Sequence, residues 1–336
     1  MPDSPTPQQT EKAVLAALGG MPLPEAAALA GLGPDALADA LDLYRAAGLD
    51  ALTDHAAAAA TDTWTQVHVQ PADWHRAEQD LAAHLGPHLR QAENSGAVHA
   101  WWYVRKHPCW RIRLQRGPAT TADDLQQATG SLLDALRDQG VITAWWPGIY
   151  EPETPALGGP HGIAAAHRLF HADSRAVLVN THWRNTLTRR PPIGGTELSI
   201  LLCSHLLRAA GQEWTEQGDV WDRVAQMRPL PEEAPAADLL QLSGTVGVLL
   251  AADTAAMTRP GGNLEHEVAR VGAFHDAGRA LATAARAGDL TRGLRAVLAH
   301  MVIFHWNRAG IPGPAQAFLA RAARNHVLGP PTSTAN

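Results

Sequence analysis

The run TWTQVHVQPADWHRAEQDLAAHLGPHLRQAE (63–93), continuing through AVHAWWYVRK (97–106), WRIRLQR (110–116), TADDLQQATGSLLDALRDQG (121–140) and VITAWWP (141–147), decides the fold. Its first eight residues alternate, with Val67 and Val69 on one face and Gln66, His68 and Gln70 on the other, which predicts a half-buried strand. From Pro71, the apolar residues Trp74, Ala77, Leu81 and Leu85 recur at helical spacing and predict one helix to about Glu93. Two apolar–basic strands joined by the short turn His107-Pro108-Cys109 follow, then a helix opened by Thr121, then a last strand. The order strand, helix, strand, strand, helix, strand is that of a ferredoxin-like βαββαβ layer.

Outward from that core, the chain becomes helical beyond residue 160. Helices are predicted over 160–179, 194–211, 237–253, 266–288, 291–310 and 313–329, with Gly211, Gly288 and Gly310 as stops. The segment MTRPGGN (257–263) is a candidate mobile loop, and the tail from residue 331 is expected to be disordered. Before the sheet, residues 10–52 read as three short helices, the first opened by Thr10 and the third stopped by Gly48, with 54–63 as a linker. The expected class is α+β: a ferredoxin-like layer packed against a mainly helical half (61–330), preceded by a small helix–turn–helix-like domain (1–60).

Charge placement narrows the functions open to that small domain. Residues 1–60 carry eight acids against Lys12 and Arg45, so the whole net charge of −6 lies there and the remaining 25 acids and 25 bases cancel. Phosphate would be repelled by such a surface, so DNA is not an expected partner and a docking or structural role fits better. With 336 residues and 46% hydrophobic content the chain can bury a large core. No apolar run is long enough to cross a membrane, and the N-terminus lacks a signal-peptide pattern, so the cytoplasm is expected. Cys109 and Cys203 form no CxxC pair.

Four constellations could carry chemistry. Arg105, Lys106, Arg111, Arg113 and Arg116 crowd the hairpin, with Arg111 and Arg113 on one face; they suit gripping carboxylates or peptide carbonyls, or are a solvated face paired locally. Tyr150-Glu151-Pro152-Glu153 closes the last strand; its acids could pair with the hairpin arginines or orient substrate. His167, Phe170, His171, Asp173 and Ser174 share a helix. The two histidines are four apart, but no HExxH or third ligand accompanies them, so no metal is expected and His171 is expected to bond Asp173 or Ser174. Near the C-terminus, His300, His305, Trp306, Asn307 and Arg308 lie in a helix apolar almost all round. Polar groups there need partners, and a buried histidine is a natural proton carrier. Ser204 and His205 invite the same argument. Eleven tryptophans, among them Trp101, Trp102, Trp145, Trp146 and Trp306, could line an aromatic groove or serve packing. No GxGxxG after a strand, P-loop, GxSxG elbow or kinase set is present, which removes weight from nucleotide-dependent and serine-hydrolase chemistry.

Several stretches resemble a known family. WWYVRKHPCWRIRL (101–114), YEPETPALGGPHGIAAAHRLFHADSRAVL (150–178), AAGQEWTEQGDVWDRVAQMRP (209–229) and HMVIFHWNRAGI (300–311) look like motifs of the lantibiotic-dehydratase C-terminal, elimination-domain-like superfamily, over about 63–328. The block at 150–178 is the specific one, and 10–52 is similar to the N-terminal extension of stand-alone members. That resemblance implies a cofactor-free enzyme acting on a leader-bearing, dehydrated, azole-containing precursor peptide, with other enzymes of its cluster as further partners. Elimination members carry an arginine and an aromatic before the paired glycines, where this chain has Ala156 and Leu157, and usually a histidine where it has Trp110. Without a glutamate-gripping arginine the resemblance points to the pyridine synthases of thiopeptide assembly, which join two dehydroalanines in a formal [4+2] aza-cycloaddition. A glutamate-eliminating subunit and a non-catalytic leader-binding subunit stay open. On this basis His300, His305 and Ser204 are expected to move protons, and Arg105, Arg111, Arg113, Glu151, Glu153, Trp110 and Arg308 to hold substrate.

Overall fold

A computed structural model describes residues 5–61, 63–186, 193–231 and 236–330; the tail from residue 331, read above as disordered, lies outside them. The chain divides into two units, 1–60 and 61–336.

The first unit holds α1 (Pro7–Leu18), α2 (Leu23–Ala28) and α3 (Pro34–Thr61) around Ala13, Val14, Ala26, Ala27 and Leu37. Thr6, not Thr10, opens α1. Its hydroxyl accepts from the Gln9 amide while the Gln9 side chain returns to the Thr6 amide, with Pro7 in the first turn where no amide donor is needed. Gly48 does not stop α3, which runs on to Thr61. An interior glycine costs only about 1 kcal/mol, and the alanine-rich sequence after it favours continuation. The expected linker is therefore helical up to Thr61.

The second unit opens with β1 (Trp64–Pro71), α4 (Ala77–His84), α5 (Gly86–Asn94), β2 (Val98–Lys106), β3 (Cys109–Arg116), α6 (Ala122–Asp138) and β4 (Ile142–Gly148). The sheet is antiparallel throughout in the order β2-β3-β1-β4, the ferredoxin-like arrangement. The single helix expected over 71–93 is two. Leu85, Gly86 and Pro87 mark the break, because Pro87 cannot donate to a continuous ladder. Thr121 caps α6 as its spacing predicts, accepting from the Asp124 amide at 3.1 Å.

Alternation gives the sheet two different faces. Val67, Val69, Trp101, Tyr103, Trp110, Ile112, Leu114 and Ile142 join Leu81, Leu89, Leu125 and Leu133 of α4–α6 in one apolar layer. Trp64, Trp102 and Val104 on the other face belong instead to the core of the helical half. That half is built from α7 (Pro160–Thr186), α8 (Gly195–Ala209), α9 (Trp214–Met227), α10 (Ala236–Ala251), α11 (Val268–Ala287), α12 (Leu294–Ala309) and α13 (Gly313–Leu328). Between α10 and α11 the candidate mobile loop is a tight structure, with Leu264 N bonded to Met257 O and Gly261 N to the Glu265 carboxylate.

A sheet edge needs a partner or a cover, and α7 covers that of β2. The Trp101 amide meets His171 Nδ1 at 3.1 Å, and the Tyr103 amide donates to Ser174 Oγ at 3.3 Å. The expectation that His171 bonds Asp173 or Ser174 is therefore corrected. His171 and Ser174 both face β2, while Asp173, between them in sequence, turns into the helical core.

Candidate functional site

The polar face of the sheet carries Gln66 and His68 from β1, Trp102 from β2, Arg111 and Arg113 from β3 and Trp146 from β4. Registers His68↔Arg111, Gln66↔Arg113 and His68↔Trp146 bring them together. Arg113 lies at its centre and is 3% exposed. Its guanidinium sits 4.1 Å from the Trp102 ring centre and 5.2 Å from that of Tyr150, and its Nε donates to Gln66 Oε1 at 2.8 Å. Gln66 Nε2 in turn donates to the Ile149 carbonyl at 3.1 Å, tying Arg113 to the turn after β4. Arg113 Nη1 is buried without a partner among the described residues. Burial brings the Arg113 pKa down to about 10.

That turn is closed by Gly158 and Gly159, both at positive φ (+85° and +89°), which L side chains rarely adopt. A Cβ on Gly158 would meet Val297 of α12 at 2.9 Å, and Thr291 N donates to the Gly158 carbonyl. The turn is thereby pressed against the start of α12 and presents two groups to the sheet. Tyr150 sets its hydroxyl 2.6 Å from His167 Nε2, beneath Trp64, whose ring centre is 4.6 Å from that of His167. Burial, reinforced by Arg113, lowers the His167 pKa to about 4, and burial raises the Tyr150 phenol well above its usual range against the pull of Arg113. At neutral pH both are uncharged, and one hydrogen bond joins them, given by the phenol to Nε2 or by Nε2–H to the phenol oxygen according to the imidazole tautomer.

Glu153 is the second group. Its Oε2 is enclosed without a hydrogen-bond partner among the described residues, and its charge acts on Arg113, Tyr150 and His300. His300 is half-buried with Nδ1 on its own helix, at Ala296 O; burial lowers its pKa, Arg292 and Arg228 add to this, and the Ala296 bond and Glu153 oppose it. Arg292 Nη1 reaches the Ala156 carbonyl at 3.3 Å. A guanidinium from the loop before α12 therefore stands beside the slot in which Ala156 offers none.

The other expected site residues separate by location. Trp110 shares the apolar face with Ile112 and Leu114, because alternation sends it opposite to Arg111 and Arg113. It is 1% exposed, stacked on Tyr103 with ring centres 4.4 Å apart. Arg105 pairs in register with Trp110, lies over its ring, bonds the Glu78 carboxylate and donates to the Arg308 carbonyl. Glu151 is exposed. Ser204 donates to Leu250 O and accepts from Arg208, which commits it to the junction of α8 and α10, away from His305.

His305 and Arg308 belong to a buried network with Asp173 at its centre. Asp173 Oδ1 takes Arg270 Nε at 2.9 Å; Oδ2 takes His305 Nδ1 and Arg308 Nε, each at 2.8 Å. His305 Nε2 then meets Ser199 Oγ at 2.8 Å. Burial alone would raise the Asp173 carboxyl, but His305, Arg270 and Arg308 outweigh it and hold it well below its usual range. Both nitrogens of His305 are committed, and Asp173, Ser199, Arg270, His305 and Arg308 are all buried. The arrangement clamps helices together. On the polar face of the sheet, buried atoms of His68, Arg113 and Glu153 without partners among the described residues lie with the Tyr150–His167 pair, while Arg308 also keeps both Nη atoms unpaired within the Asp173 network.

Such a sheet, roofed on its polar face by helices, defines an α+β protein with an interior polar site. Residues 64–327 match the family profile described as lantibiotic biosynthesis dehydratase C-term, and the chain belongs to that family. Residues 11–57 match a helix-turn-helix domain profile. The crystal structure of the tRNA-dependent lantibiotic dehydratase MibB from Microbispora sp. 107891 superposes with a TM-score of 0.54 at 19% identity, covering 78% of this chain and 28% of MibB. That of TsrL gives 0.51 at 16% identity, covering 79% of this chain and 95% of TsrL. At these identities the likeness is one of fold, and the chain spans little more than a quarter of MibB. No curated protein is significantly similar in sequence. Family membership places the chain in the biosynthesis of lantibiotic-type modified peptides. No helix among the described residues is long and apolar enough to cross a membrane.

Proposed function

We propose that this chain is a pyridine synthase, closing a thiopeptide macrocycle from two dehydroalanines of one leader-bearing precursor. The observation that carries the reading is the uncharged Tyr150–His167 pair, walled by Trp64 and Trp102 beside Arg113. One dehydroalanine, with the amide before it, must tautomerise from amide to imidic acid to act as a 2-azadiene. That step moves a proton from nitrogen to oxygen, and a neutral phenol beside a neutral imidazole can give one proton while accepting another. Arg113, with a buried N–H to spare, is placed to hydrogen-bond the amide oxygen as it gains electron density. Two carbon–carbon bonds form, one between the two methylene carbons and one from the imidic carbon to the α-carbon of the other dehydroalanine, with no net redox change. Loss of water and then of the leader as its carboxamide makes the ring aromatic. Glu153, whose charge reaches both Tyr150 and His300, suits those later proton movements.

Arg292 on the Ala156 carbonyl favours a second reading, in which it supplies the grip on glutamate that residues 156 and 157 lack and the chain eliminates glutamate from glutamylated Ser or Thr. One experiment separates the two. Purified protein is incubated with a leader-bearing bis-dehydroalanine peptide and, separately, with a glutamylated peptide, and products are weighed by mass spectrometry. The synthase reading expects a macrocycle and free leader carboxamide whose masses, with water, sum to that of the linear peptide. An unchanged linear mass, or turnover of the glutamylated peptide alone, overturns it.

A further inference from the structure

Two of the hairpin arginines are not free to hold a leader peptide, since Arg105 is bound to Glu78 and Arg113 is buried on Trp102. Exposed arginines elsewhere mostly carry acids: Arg137 has Asp134, Arg223 has Asp219, and Arg295 has both Glu216 and Asp219. The solvent side of the α7–α11 junction differs. There Arg168 of α7 and Arg279 of α11, both exposed, line one concavity of about 380 Å³ together with His161, and neither arginine forms an ion pair or side-chain hydrogen bond with a described residue. Ala164, Ala280 and Ala284 keep the space between the helices open, and Asp289 is the only acid in its lining.

Two exposed guanidinium forks without ion-pair partners among the described residues, facing one groove in a unit whose 25 acids and 25 bases cancel, favour carboxylates. Arginine pairs with them through two parallel hydrogen bonds. A single exposed ion pair contributes little in water. Retention therefore demands at least two carboxylates delivered on one chain, which a lone small anion does not offer. We propose that the α7–α11 groove is a docking site for an acidic segment of the peptide substrate, one carrying two or more Asp or Glu residues. The proposal rests on the reading above that the substrate is a leader-bearing peptide. It places the docking site on the helical half, apart from the sheet face where the chemistry is assigned.

The test uses the full chain and a fluorescein-labelled decapeptide alternating Glu and Ala, with binding followed by fluorescence anisotropy. Its Gln–Ala counterpart is expected to bind at least about tenfold more weakly, as is the acidic peptide to R168E/R279E, with R168K/R279K in between. Both arginines are exposed, so the variants are expected to fold, and circular dichroism melts check this. Equal binding of the acidic and amide peptides, or unchanged affinity in R168E/R279E, overturns the proposal. So does displacement of the acidic peptide by inorganic phosphate or short duplex DNA at concentrations no higher than those at which unlabelled acidic peptide displaces it. Failure of the synthase reading is separable. If the arginine-dependent binding is found but no macrocycle forms from the bis-dehydroalanine peptide, the groove stands and the cycloaddition falls. If the macrocycle forms and R168E/R279E changes neither binding nor KM, the groove falls alone.

Discussion

At the scale of single residues, the decisive pair is Tyr150 and His167. The strand alternation already put Arg113 and Arg111 on one face, and the turn acids stood out beside Tyr150. The pairing itself was not legible. It depends on two positive-φ glycines folding residues 150–159 back so that a phenol reaches a histidine seventeen positions later. Removing only the hydroxyl isolates its role. Tyr150→Phe is expected to lower kcat by about 10²-fold or more, the usual worth of one general acid–base group, while the acidic-peptide affinity stays unchanged. H167Q is expected to fall by a similar factor, and the double variant no further than the worse single, because the two groups act as a unit. A Tyr150→Phe enzyme within about threefold of wild type, with an unaltered melting temperature, removes the pair from the chemistry.

At the scale of elements, the Asp173 network holds α7, α8, α11 and α12 together through five side chains. A charged residue inside an apolar helix signals that a partner exists, and Arg308 gave that signal; Asp173 stood out only as a neighbour of His171, and Arg270 did not stand out. Which partner it is cannot be read locally, because the bonds span 97 to 135 residues. The same limit explains why Ser204 drew attention when Ser199, five residues earlier on another side of α8, is the one that meets His305. Most helix positions in the second half were easier, since glycine stops and apolar spacing are local; α9 (Trp214–Met227) was not among those expected, and the break at Leu85–Pro87 escaped because apolar spacing carries on across it. Asp173→Asn leaves two buried guanidinium groups facing a neutral amide. It is expected to cost about 3–5 kcal/mol in urea unfolding, the range for breaking one side of a buried ion pair. Ser199→Ala, which removes one hydrogen bond to His305, is expected to cost about 1 kcal/mol. Equal small losses for the two variants would show that the charges are not what clamps these helices.

At the scale of the whole molecule, the helical half buries histidines that must be neutral to fit. His167 and His205 are brought from the ordinary 6.5 to about 4, burial being the first cause in each, and His300 and His305 are lowered too. The unfolded chain takes up these protons near pH 6.5, whereas the folded chain resists those of His167 and His205 until about 4 and those of His300 and His305 below the ordinary value. Between those values the unfolded state binds more protons, and stability rises with pH. The histidine contribution is therefore complete above about pH 6.5 and is lost progressively as pH falls through that window. Asp173 acts lower on the scale: its pKa is depressed from 3.8, so its stabilising effect persists until the pH falls below that value. The thermal midpoint is accordingly expected to fall steadily between about pH 7 and about pH 4.5, well before the carboxylate hub is protonated, and H167Q is expected to flatten part of that slope. A midpoint that holds level or climbs on acidification across this range would mean that these imidazoles accept protons within the fold, and that burial does not hold His167 uncharged below neutrality.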